Sequence, residues 1–230
     1  MTKLIILGAE SLGREVAEAA SLSGYEVAFL DDRRELAGQS VSGHPVLGPF
    51  AAFKDMPSAE FFVAVGTPTT RAKWMEIITS HGFNLANVYH PQAAISKTAT
   101  IAGNCFVNAH SFIGPNVSLG KGTLLWSGVS ISHDCIVGAT CFFAPGVSVG
   151  GYTRIGAGCM FGINTAIRSD ITVGDWSIVA MGSIVVKDIP PTHYVRQDCQ
   201  PQKITDRQPW ELFFREHSSE ARKTSAATVK

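Results

Sequence analysis

The chain has 230 residues, a formal net charge of zero from 19 basic and 19 acidic side chains, and 45% hydrophobic residues. This balance argues against nucleic acid or a membrane surface as a partner, and no apolar run reaches the roughly 18–20 residues of a membrane span. The length suits two modest domains. We therefore expect no membrane insertion and, from the cysteine usage, a reducing cytoplasmic compartment.

The N-terminal segment predicts a strand, a glycine turn, a helix and a second strand. Lys3–Leu7 is a β-rich run that leads into the glycine turn Gly8–Gly13. A helical apolar pattern follows and stops at Gly24, and a second β-rich run, Tyr25–Leu30, ends in the pair Asp31-Asp32. This order is typical of the opening unit of a Rossmann-like nucleotide-binding fold.

A third buried-looking run, Glu60–Pro68, ends in a loop before a helix that stops near His81. Ligands bind at the carboxyl ends of parallel strands. We therefore expect one crevice with these substrate-binding residues: Gly8, Glu10, Ser11, Leu12, Gly13, Asp31, Asp32, Gly66 and Thr67. Glu10 stands where a dinucleotide fingerprint has glycine, so that motif is incomplete. A structural α/β domain without a nucleotide is the alternative interpretation.

From Ile95 to Val185 the chain repeats every six residues, and each of the sixteen hexads opens with an apolar side chain. A period of six fits neither a 3.6-residue helix nor independent hairpins. It predicts a prism of three short strands per coil, in which residues 18 apart stack about 4.8 Å from each other. The predicted fold class is therefore α/β followed by all-β, with a parallel β-helix of about five coils.

A second register, from Ala99 to Ile189 in steps of six, holds only small or β-branched residues. Four of the five cysteines fall in this register: Cys105, Cys135, Cys141 and Cys159. A buried thiol packs as a compact hydrophobe. We therefore interpret these cysteines as packing residues rather than as disulfide, metal or redox groups, and we expect no metal site.

Repeats such as Ile113-Gly114, Val137-Gly138 and Ile155-Gly156 resemble those of the hexapeptide-repeat acyltransferases. This resemblance implies a left-handed β-helix, a homotrimer with active sites at subunit interfaces, and acetyl-CoA in the groove between two prisms. Asp31-Asp32 and the run Gly43–Gly48 are similar to the subfamily of sugar acetyltransferases that act on sialic acid, bacillosamine and perosamine. In that subfamily the N-terminal domain holds the nucleotide of a nucleotide-linked sugar.

The resemblance also implies the catalytic residues. A histidine followed by an acid, here His133 and Asp134, is the family's proposed general base, and it takes a proton from an attacking amine or hydroxyl. Asp134 would hold the imidazole tautomer. Gly151, one coil further on the same corner, would offer a backbone N–H to the thioester oxygen. A solvated corner histidine is the alternative for His133, and we expect His110 to be structural or interfacial.

The resemblance further implies a path for the CoA molecule. We expect these CoA-binding residues: Gly151, Ile163, Met181, Gly182 and Lys203. Simple turn formation is the alternative for those on the later coils. Trp126 and Phe142 stand where bacillosamine-type members carry Asn and His. The pocket beside the acetyl group is then less polar, which leaves the exact sugar open.

We expect a nucleotide-sugar-binding domain over 1–88, an acyltransferase β-helix over 89–204, and a C-terminal tail over 205–230 with a short amphipathic helix and a disordered end. The predicted function is an acetyl-CoA-dependent N-acetyltransferase acting on a nucleotide-linked amino-deoxy sugar in glycan biosynthesis. The alternatives are a sialic acid or glycan O-acetyltransferase, a non-catalytic trimeric scaffold that binds a nucleotide sugar, and a dinucleotide-dependent oxidoreductase. The sequence leaves open the nucleotide base and the stereochemistry of the sugar.

Overall fold

The structure, a computed structural model, describes residues 2–196 and the backbone of residues 201–203. The amphipathic helix and the disordered end predicted for the tail lie outside the described residues. The predicted fold class, an α/β region followed by a parallel β-helix, is confirmed.

The α/β region is built on a three-stranded parallel sheet. Its elements in chain order are β1 (Lys3–Leu7), α1 (Ser11–Leu22), β2 (Glu26–Leu30), a 3-10 turn (Arg34–Leu36), β3 (Ser40–Val41), β4 (His44–Pro45), a 3-10 helix (Phe50–Asp55), β5 (Glu60–Val63) and α2 (Pro68–Ser80). The sheet order is β2–β1–β5, with β1 in the centre. The carboxyl ends of all three strands therefore meet at one edge, as the sequence predicts.

From Val88 onwards the chain forms a prism with three faces. Face 1 consists of Val88–Tyr89, Phe106–Val107, Leu124–Leu125, Phe142–Phe143, Met160–Phe161, Ile178–Val179 and His193–Val195, to which Pro201–Lys203 adds antiparallel. Face 2 consists of Ala94–Ile95, Phe112–Ile113, Ser130–Ile131, Ser148–Val149, Ala166–Ile167 and Ile184–Val185. Face 3 consists of Thr100–Ile101, Ser118–Leu119, Ile136–Val137, Arg154–Ile155 and Thr172–Val173.

Pairing between coils follows the predicted spacing of 18 residues. Phe112 pairs with Ser130, and Ser130 pairs with Ser148. The hexad-opening side chains fill the interior, where the rings of Phe143 and Phe161 stack at 4.8 Å between centroids. The interior is therefore a continuous stack of apolar layers, each in contact mainly with its neighbours.

The β-helix is longer than predicted, with about six turns. It gains a pairing at its start, because Val88–Tyr89 pairs with Phe106–Val107. Its last coil is shorter by two residues, so that Ile189 pairs with Val173. The prediction that Ile189 belongs to the small-residue register is therefore wrong. Ile189 is 3% exposed in the prism interior, because it follows Val185 by four residues instead of six. The regular spacing of six then resumes, since Val195 pairs with Val179.

Each corner of the prism contains a left-handed residue. The third residue after every inward apolar position, from Asn104 to Gly182 in steps of six, has φ between 56° and 74°. Asn, Asp and Gly tolerate this conformation best. The glycines and asparagines at this position are thus explained by the corner, and Asp134, with φ 58°, occupies one of these positions. The glycines that directly follow an inward residue, such as Gly114 and Gly138, have another reason, since a Cβ there would meet the backbone of the next coil.

The small-residue register has a hydrogen-bonding role that the sequence did not reveal. Most of its hydroxyls and thiols donate to a carbonyl 15 residues on, as Cys105 Sγ does to Gly120 O at 3.2 Å and Thr123 Oγ1 to Gly138 O at 3.0 Å. Ser177 Oγ instead donates to Pro190 O, 13 residues on, because the last coil is shorter. The four register cysteines are fully buried. Burial raises the pKa of the Cys105 thiol to about 12, which keeps it protonated at neutral pH.

The α/β region packs on face 1. Outward side chains of that face, among them Phe106 and Leu124, form one buried cluster with Val16 and Ala20 of α1. Asn104 also pairs with the edge strand β5, since it accepts the Val63 N–H at 2.7 Å and donates to Val63 O at 3.2 Å. The side-chain amide thus acts as an additional strand residue, because it offers the same donor and acceptor as a peptide group.

Arg71 is a second buried connection between the two regions. The side chain is fully buried, and its guanidinium donates to four carbonyls: Val65 O at 2.7 Å, Gly66 O at 2.9 Å, Gly122 O at 3.0 Å and Thr140 O at 2.9 Å. Burial lowers the pKa of Arg71 to about 10, so it stays charged at neutral pH. It therefore joins the loop after β5 to the corner of the prism between faces 3 and 1.

Candidate active site

The corner between faces 2 and 3 brings His133 and Asp134 together. Ile131 points into the prism and is fully buried, and the two residues of the pair form the turn that follows. Neighbours on an extended strand point to opposite sides, but the left-handed Asp134 turns both side chains the same way. His133 Nδ1 lies 2.9 Å from Asp134 Oδ2. The His133 side chain is 51% exposed.

Asn116, one coil earlier, supports the other oxygen of the carboxylate. Its Nδ2 donates to Asp134 Oδ1 at 3.0 Å, and Asp134 N–H donates to Pro115 O at 2.9 Å. The hydrogen bonds from Asn116 and then His133 lower the pKa of Asp134. Asp134 is therefore an anion at neutral pH, and both of its oxygens accept hydrogen bonds.

Gly151 and Tyr152, one coil later, cover the imidazole from the other side. Tyr152 N–H donates to His133 O at 3.1 Å, and its ring meets the imidazole edge-on, with centroids 5.1 Å apart at 87°. A Cβ at Gly151 would lie 2.9 Å from His133 Nε2, a separation that real Cβ atoms do not adopt. Glycine thus leaves room for the ring in its present position, and a side chain here would make the imidazole shift.

The glycine turn after β1 is held by Asp31 at the end of β2. Gly8 has φ 106°, and the next amide, Ala9 N–H, donates to Asp31 Oδ2 at 2.8 Å. Arg33 makes a bidentate contact with the same carboxylate, from Nε at 2.8 Å and Nη2 at 2.9 Å. Burial opposes the ionisation of Asp31, but the hydrogen bonds from Arg33 and Ala9 outweigh it and lower the pKa of Asp31.

The predicted ligand carboxylates are therefore already engaged within the chain. Asp31 is only 7% exposed, and Asp32 Oδ1 accepts the Phe50 N–H at 2.8 Å. Arg33, which the sequence reasoning missed, is the basic group at this edge, and its Nη1 lies 3.3 Å from Glu10 Oε1. Its position directly after the two aspartates was the available signal.

The other predicted crevice residues divide into exposed and packing residues. Ser11 is exposed at the start of α1, whereas Leu12 is buried. A Cβ at Gly13 would collide with the carbonyl of Gly8, so this glycine allows the helix to approach the turn. In the loop after β5, the carbonyl of the partly exposed Gly66 accepts a hydrogen bond from Arg71. Thr67, also partly exposed, directly precedes α2.

The predicted CoA-binding residues on the later coils lie at a different corner from His133. Ile163 and Met181, 46% and 53% exposed, stack at the corner between faces 1 and 2, where Gly182 has φ 68°. Lys203 pairs through its backbone with His193, and its side chain lies outside the described residues. Within one chain, face 2 separates these residues from the corner of His133 and Gly151.

The crevice and the imidazole are also on different sides of the prism. The crevice belongs to the α/β region, which packs on face 1, whereas His133 lies at the corner between faces 2 and 3. The prism itself therefore stands between them in a single chain. The ring centroid of Trp126 lies 6.1 Å from that of Phe142 and 6.4 Å from that of Phe106. These rings lie within the contact between face 1 and the α/β region.

Within residues 2–196, no three His, Cys, Asp or Glu side chains converge as a set of metal ligands. None of the helices in the described part of the chain has the length and hydrophobicity needed to cross a bilayer.

Comparison with known proteins gives a consistent result. The family model of the PglD N-terminal domain matches residues 3–78. The acetyltransferase domain of PglB from Neisseria gonorrhoeae, solved with acetyl coenzyme A, is 31% identical with a TM-score of 0.82, and the match covers 88% of this chain and 98% of that one. A variant of GDP-perosamine N-acetyltransferase from Caulobacter crescentus, solved with CoA and GDP-perosamine, is 25% identical with a TM-score of 0.82, over 90% and 98% of the two chains.

The curated relatives match only locally. The bifunctional protein GlmU of Nitratidesulfovibrio vulgaris is 53% identical over 38 residues, which are 16% of this chain and 8% of GlmU. The chain spans well under a third of the length of the curated relatives it matches, since the share is 22% for GlmU of Allorhizobium ampelinum. The match to nearly the whole gonococcal domain carries the assignment: the chain belongs to the hexapeptide-repeat sugar acetyltransferases.

Proposed function

We propose that this chain transfers the acetyl group of acetyl-CoA to the amino group of a nucleotide-linked amino sugar, with His133 as the general base. The observation that carries the proposal is the His133–Asp134 pair at the prism corner, with Gly151 beside Nε2. The relatives support the substrates, since one similar domain was solved with acetyl coenzyme A and another protein with CoA and GDP-perosamine.

The ionised Asp134 selects the tautomer of His133. A carboxylate only accepts hydrogen bonds, so the neutral imidazole donates its Nδ1–H to Asp134 Oδ2. The lone pair is then on Nε2, on the side of the ring beside Gly151. A half-exposed imidazole with a free Nε2 can take a proton from an attacking amine near neutral pH.

The reaction is a direct acyl transfer. The amine nitrogen attacks the thioester carbonyl carbon, and Nε2 of His133 takes the proton that the nitrogen loses. The carbon–sulfur bond then breaks, and the CoA sulfur leaves with that proton, so that an N-acetyl sugar and free CoA are formed. Asp134 stabilises the imidazolium between the two proton transfers.

The backbone of Gly151 suits an oxyanion donor. The amides on both sides of it are engaged, since Gly150 N–H donates to Ile167 O and Tyr152 N–H donates to His133 O. Among the described residues, Gly151 N–H has no acceptor. A free, rigid N–H beside the base can accept the negative charge that develops on the thioester oxygen.

We further propose that the active unit is a homotrimer whose sites form between subunits. In one chain the prism separates the crevice from His133, and the corner of Ile163 and Met181 is not the corner of His133. A neighbouring chain that places its crevice and its Ile163 corner against His133 would complete the site. We expect sedimentation equilibrium to give three times the chain mass of 24.6 kDa. A fully active monomer would contradict this assembly.

The base assignment is tested by replacing His133 with alanine. We expect kcat to fall by about 10²-fold or more, with little change in KM for acetyl-CoA, because the base acts in the transition state. His81→Ala, at the exposed end of α2 in the α/β region, is the control and should retain activity. Near-normal kcat/KM in His133→Ala would refute the assignment.

The acceptor is tested by comparing 4-amino sugars with their hydroxyl analogues, each as a nucleotide sugar. Acetylation of the amine alone supports the proposal, and acetylation of the hydroxyl alone supports the O-acetyltransferase. The scaffold interpretation instead requires saturable sugar binding without release of CoA. A thermal-shift series with UDP-, GDP- and dTDP-sugars identifies the nucleotide, since bound ligand raises Tm by mass action.

A further inference from the structure

A continuous chain of polar contacts leads through three coils to the imidazole. Thr98 Oγ1 lies 3.1 Å from Ser96 Oγ and accepts the Asn116 N–H at 3.0 Å. Asn116 Nδ2 donates to Asp134 Oδ1, and Asp134 Oδ2 faces His133 Nδ1. Thr98, Asn116 and Asp134 are spaced by 18 residues, so the stacking of the coils brings them together.

We infer that Asn116 is a positioning residue, which orients Asp134 so that the carboxylate holds His133 with Nε2 directed to the substrate. This inference rests on the proposed role of His133 as the base. The Asp134 side chain is 34% exposed, so packing alone does not determine its rotamer. Each oxygen of the carboxylate has its own partner, Asn116 for Oδ1 and His133 for Oδ2, and these two contacts fix its orientation. Removal of the amide frees the carboxylate to rotate away from Nδ1 of His133.

The residue type fits this role in two ways. An amide donates to the anion without adding a charge, whereas a carboxylate at the same place would repel Asp134 and a basic side chain would compete with His133 for it. Asparagine also tolerates the left-handed corner, where Asn116 has φ 58°, better than most residues with a side chain. The left-handed corner therefore favours asparagine at position 116, and the amide of this asparagine is the donor to Asp134.

Asn116→Gly removes the amide without backbone strain, since glycine adopts positive φ readily. We expect kcat to fall roughly tenfold, less than for His133→Ala, because Gly151 and Tyr152 still confine the ring. The KM values for acetyl-CoA and for the sugar should stay within about twofold, since Asn116 contacts neither. An unchanged kcat with an unchanged imidazole tautomer would overturn the inference.

Asp170→Gly is the matched control. Asp170 lies on the same corner line two coils beyond Asp134, has φ 60° and is exposed. The substitution therefore makes the same change of backbone without touching the polar chain, and it additionally removes one exposed negative charge. Its kcat should equal that of the wild type. A loss equal to that of Asn116→Gly would show that any glycine at this corner line impairs the enzyme, and would overturn the specific role of the amide.

Asn116→Asp keeps the size of the side chain but replaces the donor with a charge. The groups that face the imidazole are Asp134 in its own turn and Tyr152 from the next coil, with Asn116 behind Asp134. A second negative charge favours the imidazolium. We expect the acid limb of kcat/KM to move to higher pH in Asn116→Asp and not in Asn116→Gly. The same profile in both variants would contradict the inference.

A measurement without turnover separates this inference from the proposed function. ¹⁵N spectra of the histidine side chains, with His133 assigned by its absence in His133→Ala, report the protonated nitrogen. We expect the Nδ1–H tautomer in the wild type and in Asp170→Gly, and a mixture of tautomers in Asn116→Gly. If His133→Ala stays active while this spectral change occurs, the base assignment fails but the positioning contact stands.

Discussion

The prism and the α/β region place their functional residues by different means. At the prism corner, Asn116, Asp134 and Tyr152 lie in line because each is 18 residues from the next and all have φ near 60°. At the crevice, Asp31 and Arg33 are placed by particular side-chain contacts at the ends of strands. In the prism, the stacking of the coils therefore brings the residues of the site together, whereas in the α/β region individual hydrogen bonds and ion pairs do so. We expect the two regions to respond differently to substitution.

The largest effect is expected inside the prism. Phe161→Ala removes a fully buried ring that stacks on Phe143, and such truncations cost about 3–5 kcal/mol of unfolding free energy. Urea unfolding should show this as a lower midpoint with an unchanged slope. Because each layer contacts mainly its neighbours, the loss should appear even if the α/β region is intact. A loss below about 1 kcal/mol would show that the layers relax into the cavity.

The second largest effect is expected on kcat, from a substitution that fills the space beside the His133 imidazole. Gly151→Ala places a Cβ against His133 Nε2 and Cε1, and the ring must move. We expect kcat to fall by about 10²-fold, because a displacement of about 1 Å in a catalytic group has that order of effect. Tm should change little, since the prism interior is untouched. Ser169→Ala, the next position on the same line of coils, is the control. Wild-type kcat in Gly151→Ala would contradict the close contact.

The third prediction tests the link between the two regions. Arg71→Met leaves the carbonyls of Val65, Gly66, Gly122 and Thr140 without their buried donor, which should cost about 2 kcal/mol or more. The loop after β5 would also lose its anchor. We therefore expect a higher KM for the nucleotide sugar with a smaller change in KM for acetyl-CoA.

Arg71→Lys is the informative comparison for that prediction. It retains the charge but has three donors on one nitrogen, so it cannot reach carbonyls on both regions in the same geometry. An intermediate loss of stability is expected. If Arg71→Lys is as stable as the wild type, the charge rather than the forked geometry is what the site requires.

The smallest effect is the pH dependence of Asp31. The pKa of Asp31 in the folded chain lies below the usual value of a free aspartate, because Arg33 and the Ala9 amide donate hydrogen bonds to it, so the folded state favours the ionised form. The resulting stability is present above the unfolded pKa and is lost as the pH falls through the lower folded pKa. The Tm difference between the wild type and Asp31→Asn should be greatest near pH 7 and should shrink below about pH 4. A difference that grows on acidification would contradict this.

Most of the prism could be predicted from the sequence because the same six-residue pattern of inward apolar side chains recurs along it. The apolar residue that opens each hexad, the spacing of 18 and the corner position of His133 all follow from one period. The short last coil was missed, because the period is broken only once, between Val185 and Ile189, and it resumes from Ile189 to Val195. The pairing of His133 with Asp134 was also open from the sequence, because it depends on the backbone angle of Asp134.

The α/β region was predictable as an order of elements but not as a site. The strands, helices and the acidic end of β2 can be read from local patterns. Asp31 is bound by Arg33 and by the amide of Ala9 and is therefore not left free for a ligand. The contact with Ala9 joins segments that are distant in the chain, so the local pattern does not predict it. The buried Arg71 was visible only as a residue after a glycine loop, with no local signal for its carbonyl partners at Gly122 and Thr140.

The sequence by itself determined the parallel β-helix, the corner that carries His133 and the order of elements along the chain in the α/β region, because hydrophobic period and turn residues act locally. Only the tertiary structure decided that Asn116 donates a hydrogen bond to Asp134, that Asp31 is already engaged, and that the crevice and the imidazole lie on opposite sides of one prism. These features depend on which coils and segments become neighbours in space, and the local sequence around each residue does not indicate which distant residues it will contact.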